Sequence, residues 1–203
     1  MESCSKYDIM RIIDCTTFNG ESDLFEIRYN VLKPFVNEFR VIEFDQTFSG
    51  KEKPAVFAQN WHQVKSYYVT QATWSKYEEL AKASPNTEYG KGASHWIREF
   101  CQKEAIKDCL TDLDDNDQVF IGDCDELWNP NLVYVDLPKK LKLHVYSYYL
   151  NNKSSEKFWG TLVAHYKDIK DECLNHLRAN APKTELEWGW HFTSLGGYEN
   201  VKK

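Results

Sequence analysis

The chain lacks the markers of several common classes. No apolar run approaches the roughly 18 residues that a membrane-spanning helix needs. Residues 1–10 are polar and carry no apolar core of a secretory signal. The six cysteines (Cys4, Cys15, Cys101, Cys109, Cys124 and Cys173) include no C-x-x-C pair, so neither a zinc knuckle nor a redox pair is indicated. Free thiols in a reducing, cytoplasmic setting are the simplest reading. Positive charge is scarce. With 25 Lys+Arg against 31 Asp+Glu the net charge is −6, which argues against a nucleic-acid partner and against charge-driven adhesion to membranes. Nine glycines and six prolines are too few for a collagen-like or low-complexity chain. The phosphate loop G-x-x-x-x-G-K-[ST], the dinucleotide fingerprint G-x-G-x-x-G, the G-x-S-x-G elbow and H-E-x-x-H are all absent.

What is present suits a folded domain. The 203 residues are 42% hydrophobic and 28% charged, enough to bury a core without staples. Aromatics are abundant, with 7 Trp, 12 Tyr and 11 Phe; they suit a core and also suit stacking on sugars or bases. Strands are expected over 9–13, 39–44, 64–70 and 117–122. Helices are expected from Leu24 to Leu32, with Asp23 and Glu26 as a capping box and Pro34 beyond, and over 93–110. Strands then dominate at 141–150, 158–165 and 187–193. Alternation followed by strands predicts an α/β layered domain with a mixed, mainly parallel sheet, and ligands in such sheets sit beyond the carboxyl ends of the strands.

The most informative stretch is 119–130, VFIGDCDELWNP. An apolar strand ends directly in acids. Residues two apart in extended chain face one side, so Asp123 and Asp125 are expected to share a site while Cys124 packs inward. Paired carboxylates repel unless a cation lies between them, and Mg²⁺ or Mn²⁺ shared with a nucleotide diphosphate fits that need. The plain alternative is a solvated acidic turn before Asn129-Pro130. Asp112, Asp114, Asn116 and Asp123 mimic a calcium loop, but Asp117 stands where glycine is required, so 114–117 reads as a solvated turn. His191, within WGWHF, reads as a structural histidine or as a late ligand for the same metal or a phosphate. Arg98 reads as a surface ion-pair partner or a grip on phosphate. Lys51 and Lys53 read as solvated loop lysines.

Several of these motifs, taken in order, resemble glycosyltransferase family 17, the β-1,4-mannosyl-glycoprotein N-acetylglucosaminyltransferases. They are Ile13-Asp14-Cys15, ESDLFEIRYN at 21–30, Val41-Ile42-Glu43, TFSGK at 47–51, Trp96-Ile97-Arg98-Glu99, Asp123-Cys124-Asp125-Glu126 with Asn129-Pro130, Gly189-Trp190-His191-Phe192, and Leu195-Gly196-Gly197. The resemblance implies one GT-A-like domain over 1–203, a Mn²⁺ (or Mg²⁺) cofactor, a UDP-sugar donor, a carbohydrate acceptor and inversion at the anomeric carbon. It places Asp123, Asp125 and His191 at the metal. It places Asp14, Glu43, Arg98 and Asp123 near the nucleotide, and makes Glu126, then Glu43, the candidate base. The chain stops sooner after Gly197 than family members, which continue into helical sequence. It also shows no Golgi anchor, which fits a bacterial or viral relative. A sugar nucleotidyltransferase, a carbohydrate-binding module and a degenerate transferase are the alternatives. The oligomeric state is not legible.

Overall fold

The computed structural model describes residues 10–84, 94–131 and 137–195. Among these residues eight strands form one sheet in the order β3-β2-β1-β4-β7-β6-β8-β5. They are β1 (Ile12–Phe18), β2 (Glu38–Phe44), β3 (Lys65–Val69), β4 (Gln118–Asp123), β5 (Glu126–Trp128), β6 (Lys139–Ser147), β7 (Lys153–His165) and β8 (Lys183–Thr193). The half made of β3, β2, β1 and β4 is parallel throughout. β7 then runs antiparallel to both β4 and β6, β8 runs parallel to β6, and β5 runs antiparallel to β8. The helices are α1 (Ser22–Leu32), α2 (Phe57–Asn60), α3 (Gln71–Trp74), α4 (Glu78–Ala83), α5 (Ser94–Ala105) and α6 (Leu174–Asn180). The expected α/β architecture is therefore observed.

The central strands are buried on both faces, as parallel strands covered by helices must be. Ile13 and Cys15 of β1 point into a core shared with Ile42, Val119, Ile121 and the Phe100–Cys101 face of α5. On the opposite face Phe18, Val41 and Phe120 meet Phe25 and Leu32 of α1. α1 therefore buries Phe25, Arg28 and Leu32, one face of a helix with a charge set in its middle. Its N-cap is Glu21 with no side-chain cap bond, so the Asp23–Glu26 capping box does not form. The turn at 114–117 is also not wholly solvated. Asp117 is 2% exposed and accepts hydrogen bonds from the Arg11 and Asp114 backbone N–H groups and from the Arg11 guanidinium. The five described cysteines are free thiols, while Cys4 lies outside the described residues, as do Pro85, Asn86, Gly90, Gly92, Gly196 and Gly197.

α6 is short, and seven residues cannot hold a helix in water unaided. Glu104 of α5 anchors it. One carboxylate oxygen accepts the Leu174 N–H at 3.0 Å. The other accepts the Asn175 N–H at 3.1 Å and the Asn175 side chain at 2.9 Å. Lys107 pairs with the same carboxylate at 2.6 Å. Burial pushes the Glu104 pKa up, but these donors outweigh it and hold the pKa below the ordinary value. Its stabilising contribution is thus complete above the unfolded glutamate pKa and is lost as pH falls through the lowered folded value. Glu104→Ala is expected to cost on the order of 3 kcal/mol in urea unfolding at pH 7, and the deficit should shrink in acid. A loss below about 0.5 kcal/mol would show that α6 is held by packing alone.

Candidate active site

Register builds the site. β1 and β4 pair so that Thr17 lies beside Asp123 at their carboxyl ends, and the Thr17 hydroxyl donates to the Asp123 carboxylate at 3.3 Å. The chain turns through buried Cys124 and half-buried Asp125 into β5. There the β5–β8 pairing sets Glu126 opposite His191. His191 Nε2 lies 3.2 Å from the Asp125 carboxylate, and its ring stacks on Phe158 at 4.2 Å between centroids. Its buried Nδ1 finds no partner among the described residues. Burial disfavours the imidazolium, yet Asp125 first, then Glu126 and Asp123, raise the His191 pKa above its ordinary value.

The acidic turn is held from below by Arg28. Its guanidinium grips Asp14 with two bonds of 2.7 Å and donates to the backbone carbonyls of Glu126 at 2.5 Å and Asp123 at 3.3 Å. Trp128 Nε1 donates to Asp14 at 2.8 Å, and its ring stacks on Phe120. The Phe192 N–H closes the turn from the other side by donating to the Asp125 carbonyl at 2.9 Å.

Two cavities meet at this turn. The first, of about 220 Å³, lies over the ends of β1 and β2 between Thr17, Phe18, Phe44, Thr47 and Lys53. The second, of about 420 Å³, is lined by Glu126, Lys140, Phe158, Trp159, Arg178 and His191 among others. Lys103, Asp123 and Asp125 belong to both. The Asp123 carboxylate is held below its ordinary pKa: burial pushes it up, but Lys103 and Arg178 outweigh that. The Lys103 ammonium stands 3.7 Å from it and 2.8 Å from Glu99.

Three of the expected site residues lie outside the lining of both cavities. Asp14 is wholly buried beneath the turn and lines neither cavity, and it supports the acids through Arg28. Glu43 is 3% exposed and lines neither cavity. Its carboxylate accepts the Val56 and Phe57 N–H groups at 3.0 Å, which fixes the start of α2. Arg98 lines neither of the two cavities. Its guanidinium donates to the Phe48 carbonyl and packs on Gly50, positioning the 47–51 loop that borders the first cavity. Lys53, read as solvated, instead bridges the Phe18 carbonyl at 3.1 Å and the Asn19 side chain at 2.9 Å.

Glu126 is 1% exposed, and its carboxylate accepts the Thr161 hydroxyl at 3.1 Å. Gly122 and Gly160 make its berth, since a Cβ on either would come within 2.7 Å of that carboxyl. Burial, then Asp123 and Asp125, push its pKa from 4.5 to about 7. The protonated folded form is therefore favoured, and stability falls as pH rises from about 4.5 to about 7. Glu126→Gln is expected to remove that fall and to raise metal-free stability at pH 8 on the order of 2 kcal/mol. A variant less stable than the parent at pH 8 would contradict this environment.

Sequence reasoning missed Arg28, Lys103, Lys140 and Arg178. Only Arg28 carried a signal: it falls on the apolar stripe between Phe25 and Leu32, where a charge must be paired.

Comparison with known families decides the assignment. The profile of glycosyltransferase family 17 matches residues 3–194. The chain belongs to glycosyltransferase family 17. It is accordingly a glycosyltransferase, and the acidic turn joining two cavities is its candidate active site. No curated protein matches this family-17 chain. Among solved structures, mouse xyloside xylosyltransferase 1 in its apo form matches with a TM-score of 0.39 and 8% identity, covering 83% of this chain and 71% of that one. In the family-17 chain no described helix is long and apolar enough to cross a membrane.

Proposed function

We propose that this glycosyltransferase is metal-dependent and inverting, and that it moves N-acetylglucosamine from a UDP-sugar to a carbohydrate hydroxyl. The observation that carries this reading is the meeting of two cavities at Asp123 and Asp125. A donor needs room for a nucleotide on one side of its diphosphate and for a sugar and an acceptor on the other. The donor identity rests on the family motifs.

The residues present suit a divalent cation. Asp123 and Asp125 offer partly exposed carboxylates, 36% and 26%, on the shared wall, and His191 stands against one of them. No group of three ligands with metal geometry occurs among the described residues, so diphosphate and water oxygens would have to complete the shell of a bound ion. When bound, Mn²⁺ or Mg²⁺ would offset the charge that builds on the leaving diphosphate. The chain's own residues do the rest. Lys103 holds its ammonium where the cavities join, beside the departing charge. Phe158 and Trp159 give the second cavity apolar walls against which a sugar ring can lie. Glu126 faces that cavity with a carboxyl titrating near neutrality, and takes the proton of the acceptor hydroxyl.

The test is calorimetric titration with UDP, UDP-N-acetylglucosamine, UDP-glucose and UDP-galactose, each with and without Mn²⁺. Metal-dependent binding that is tightest for UDP-N-acetylglucosamine is expected. Metal-independent binding, or preference for another sugar, would overturn the corresponding half of the proposal.

A further inference from the structure

The two oxygens of the Glu126 carboxyl are held differently. The backbone of Glu126 is fixed in β5 by its pairing with His191 and by the Arg28 guanidinium, which donates to its carbonyl. Its side chain crosses to β7. The β4–β7 register runs to Ile121 and Leu162. One step further Gly122 and Thr161 stand side by side, so a Cβ on Gly122 would meet Thr161 Oγ1 at 2.6 Å and Glu126 Oε2 at 2.7 Å. The Thr161 hydroxyl donates to that same Oε2 at 3.1 Å, and it is the one hydrogen-bond donor to this carboxyl among the described residues. The other oxygen, Oε1, lies against Gly160, where a Cβ would come within 2.6 Å of it. Gly160 and Glu126 line the second cavity, whereas Gly122 and Thr161 line neither cavity. One oxygen is therefore tethered on the strand side and the other is left on the cavity side.

This division matters for a base. The last torsion of a glutamate is soft, so packing alone does not set which way the carboxyl plane turns. A hydrogen bond to one oxygen does. Proton transfer needs the other oxygen within hydrogen-bond reach of the attacking hydroxyl, and small misplacements cost rate steeply. Thr161 is wholly buried, so it can act only through Glu126 and not on a substrate.

We propose that Thr161 is a positioning residue for glycosyl transfer: its hydroxyl holds Glu126 Oε2 and so presents Oε1 to the acceptor in the second cavity. This rests on the reading of Glu126 as the base and adds the group that aims it. In that step the acceptor oxygen bonds to the anomeric carbon and its proton passes to Oε1. The bond from that carbon to the diphosphate oxygen breaks, and its electron pair leaves with UDP.

The experiment joins kinetics to crystallography. UDP release from UDP-N-acetylglucosamine is followed with Mn²⁺, with water alone and with manno-oligosaccharides as acceptor probes. Thr161→Val is expected to lower kcat about tenfold and to leave the KM of the donor unchanged, because Thr161 lines neither cavity. Thr161→Ser should restore most of the rate. Thr161→Cys, a weaker donor, should fall between them, and it takes the place of Thr161→Val if that variant does not fold. In a Glu126→Gln background the loss of the hydroxyl should cost little more, because both changes act on one carboxyl. Crystal structures of the parent and Thr161→Val should show the Glu126 carboxyl turned in the variant. The same orientation in both, equal losses in the two backgrounds, or a raised KM with kcat unchanged would overturn the proposal and leave the transferase reading standing. Full turnover by Glu126→Gln would remove the base, and no UDP release by the parent with any acceptor would remove the transferase reading; either result overturns this inference as well.

Discussion

Asp125→Asn is expected to lower glycosyl transfer at least about 10²-fold at saturating metal and donor, with the thermal midpoint within a few degrees of the parent. The variant keeps the shape of the side chain, and an asparagine oxygen can still accept from His191 Nε2, which now lies 3.2 Å from the carboxylate. What it loses is charge. A neutral amide would no longer help neutralise the proposed cation at the junction of the two cavities. The same change removes the chief group that raises the His191 pKa, so the imidazole should titrate lower, toward the value that burial alone would set. The variant therefore has two readouts: turnover, and the histidine titration followed by NMR. Full activity with an unmoved His191 titration would remove Asp125 from the site.

Arg28→Met carries the largest expected effect on stability, about 3–5 kcal/mol, a large share of what a domain this size possesses. The reason is the partner left behind. Asp14 is wholly buried, and without the guanidinium only Trp128 Nε1 donates to it. The carbonyls of Glu126 and Asp123 lose their donor as well, so the acidic turn should move and transfer should fall even where the protein remains folded. Removing both charges is milder than removing one, because no orphaned charge stays in the core. Asp14→Asn combined with Arg28→Met should thus recover part of the lost stability without recovering activity. Urea unfolding of the single and the double variant tests this. A loss below about 1 kcal/mol for Arg28→Met would mean that the pair is not the keystone of the turn.

The sheet was legible because its strands are apolar runs that end at polar residues. The expected 39–44, 64–70 and 117–122 appear as Glu38–Phe44, Lys65–Val69 and Gln118–Asp123. β1 was placed a few residues early, since Thr16 and Thr17 read as polar loop but are β-branched and extend the strand to Phe18. β5 and α6 were not anticipated. Three residues carry no period, and α6 exists because Glu104, some 70 positions earlier, supplies its cap. The acidic motif was visible as a local spacing. The roles of Asp14 and Glu43 were not, since a carboxylate at a strand end looks the same in sequence whether it faces a ligand or a buried arginine. Lys103, Lys140 and Arg178 come from three separate elements and meet only through the sheet order, which no local pattern encodes.

The most direct test of the account is a crystal structure of the protein grown with UDP and Mn²⁺. The account predicts the nucleotide in the cavity between Phe18, Phe44 and Lys53, with its diphosphate and the metal at Asp123 and Asp125 and the second cavity left open for sugar. A nucleotide bound elsewhere, or a metal away from both aspartates, would contradict it.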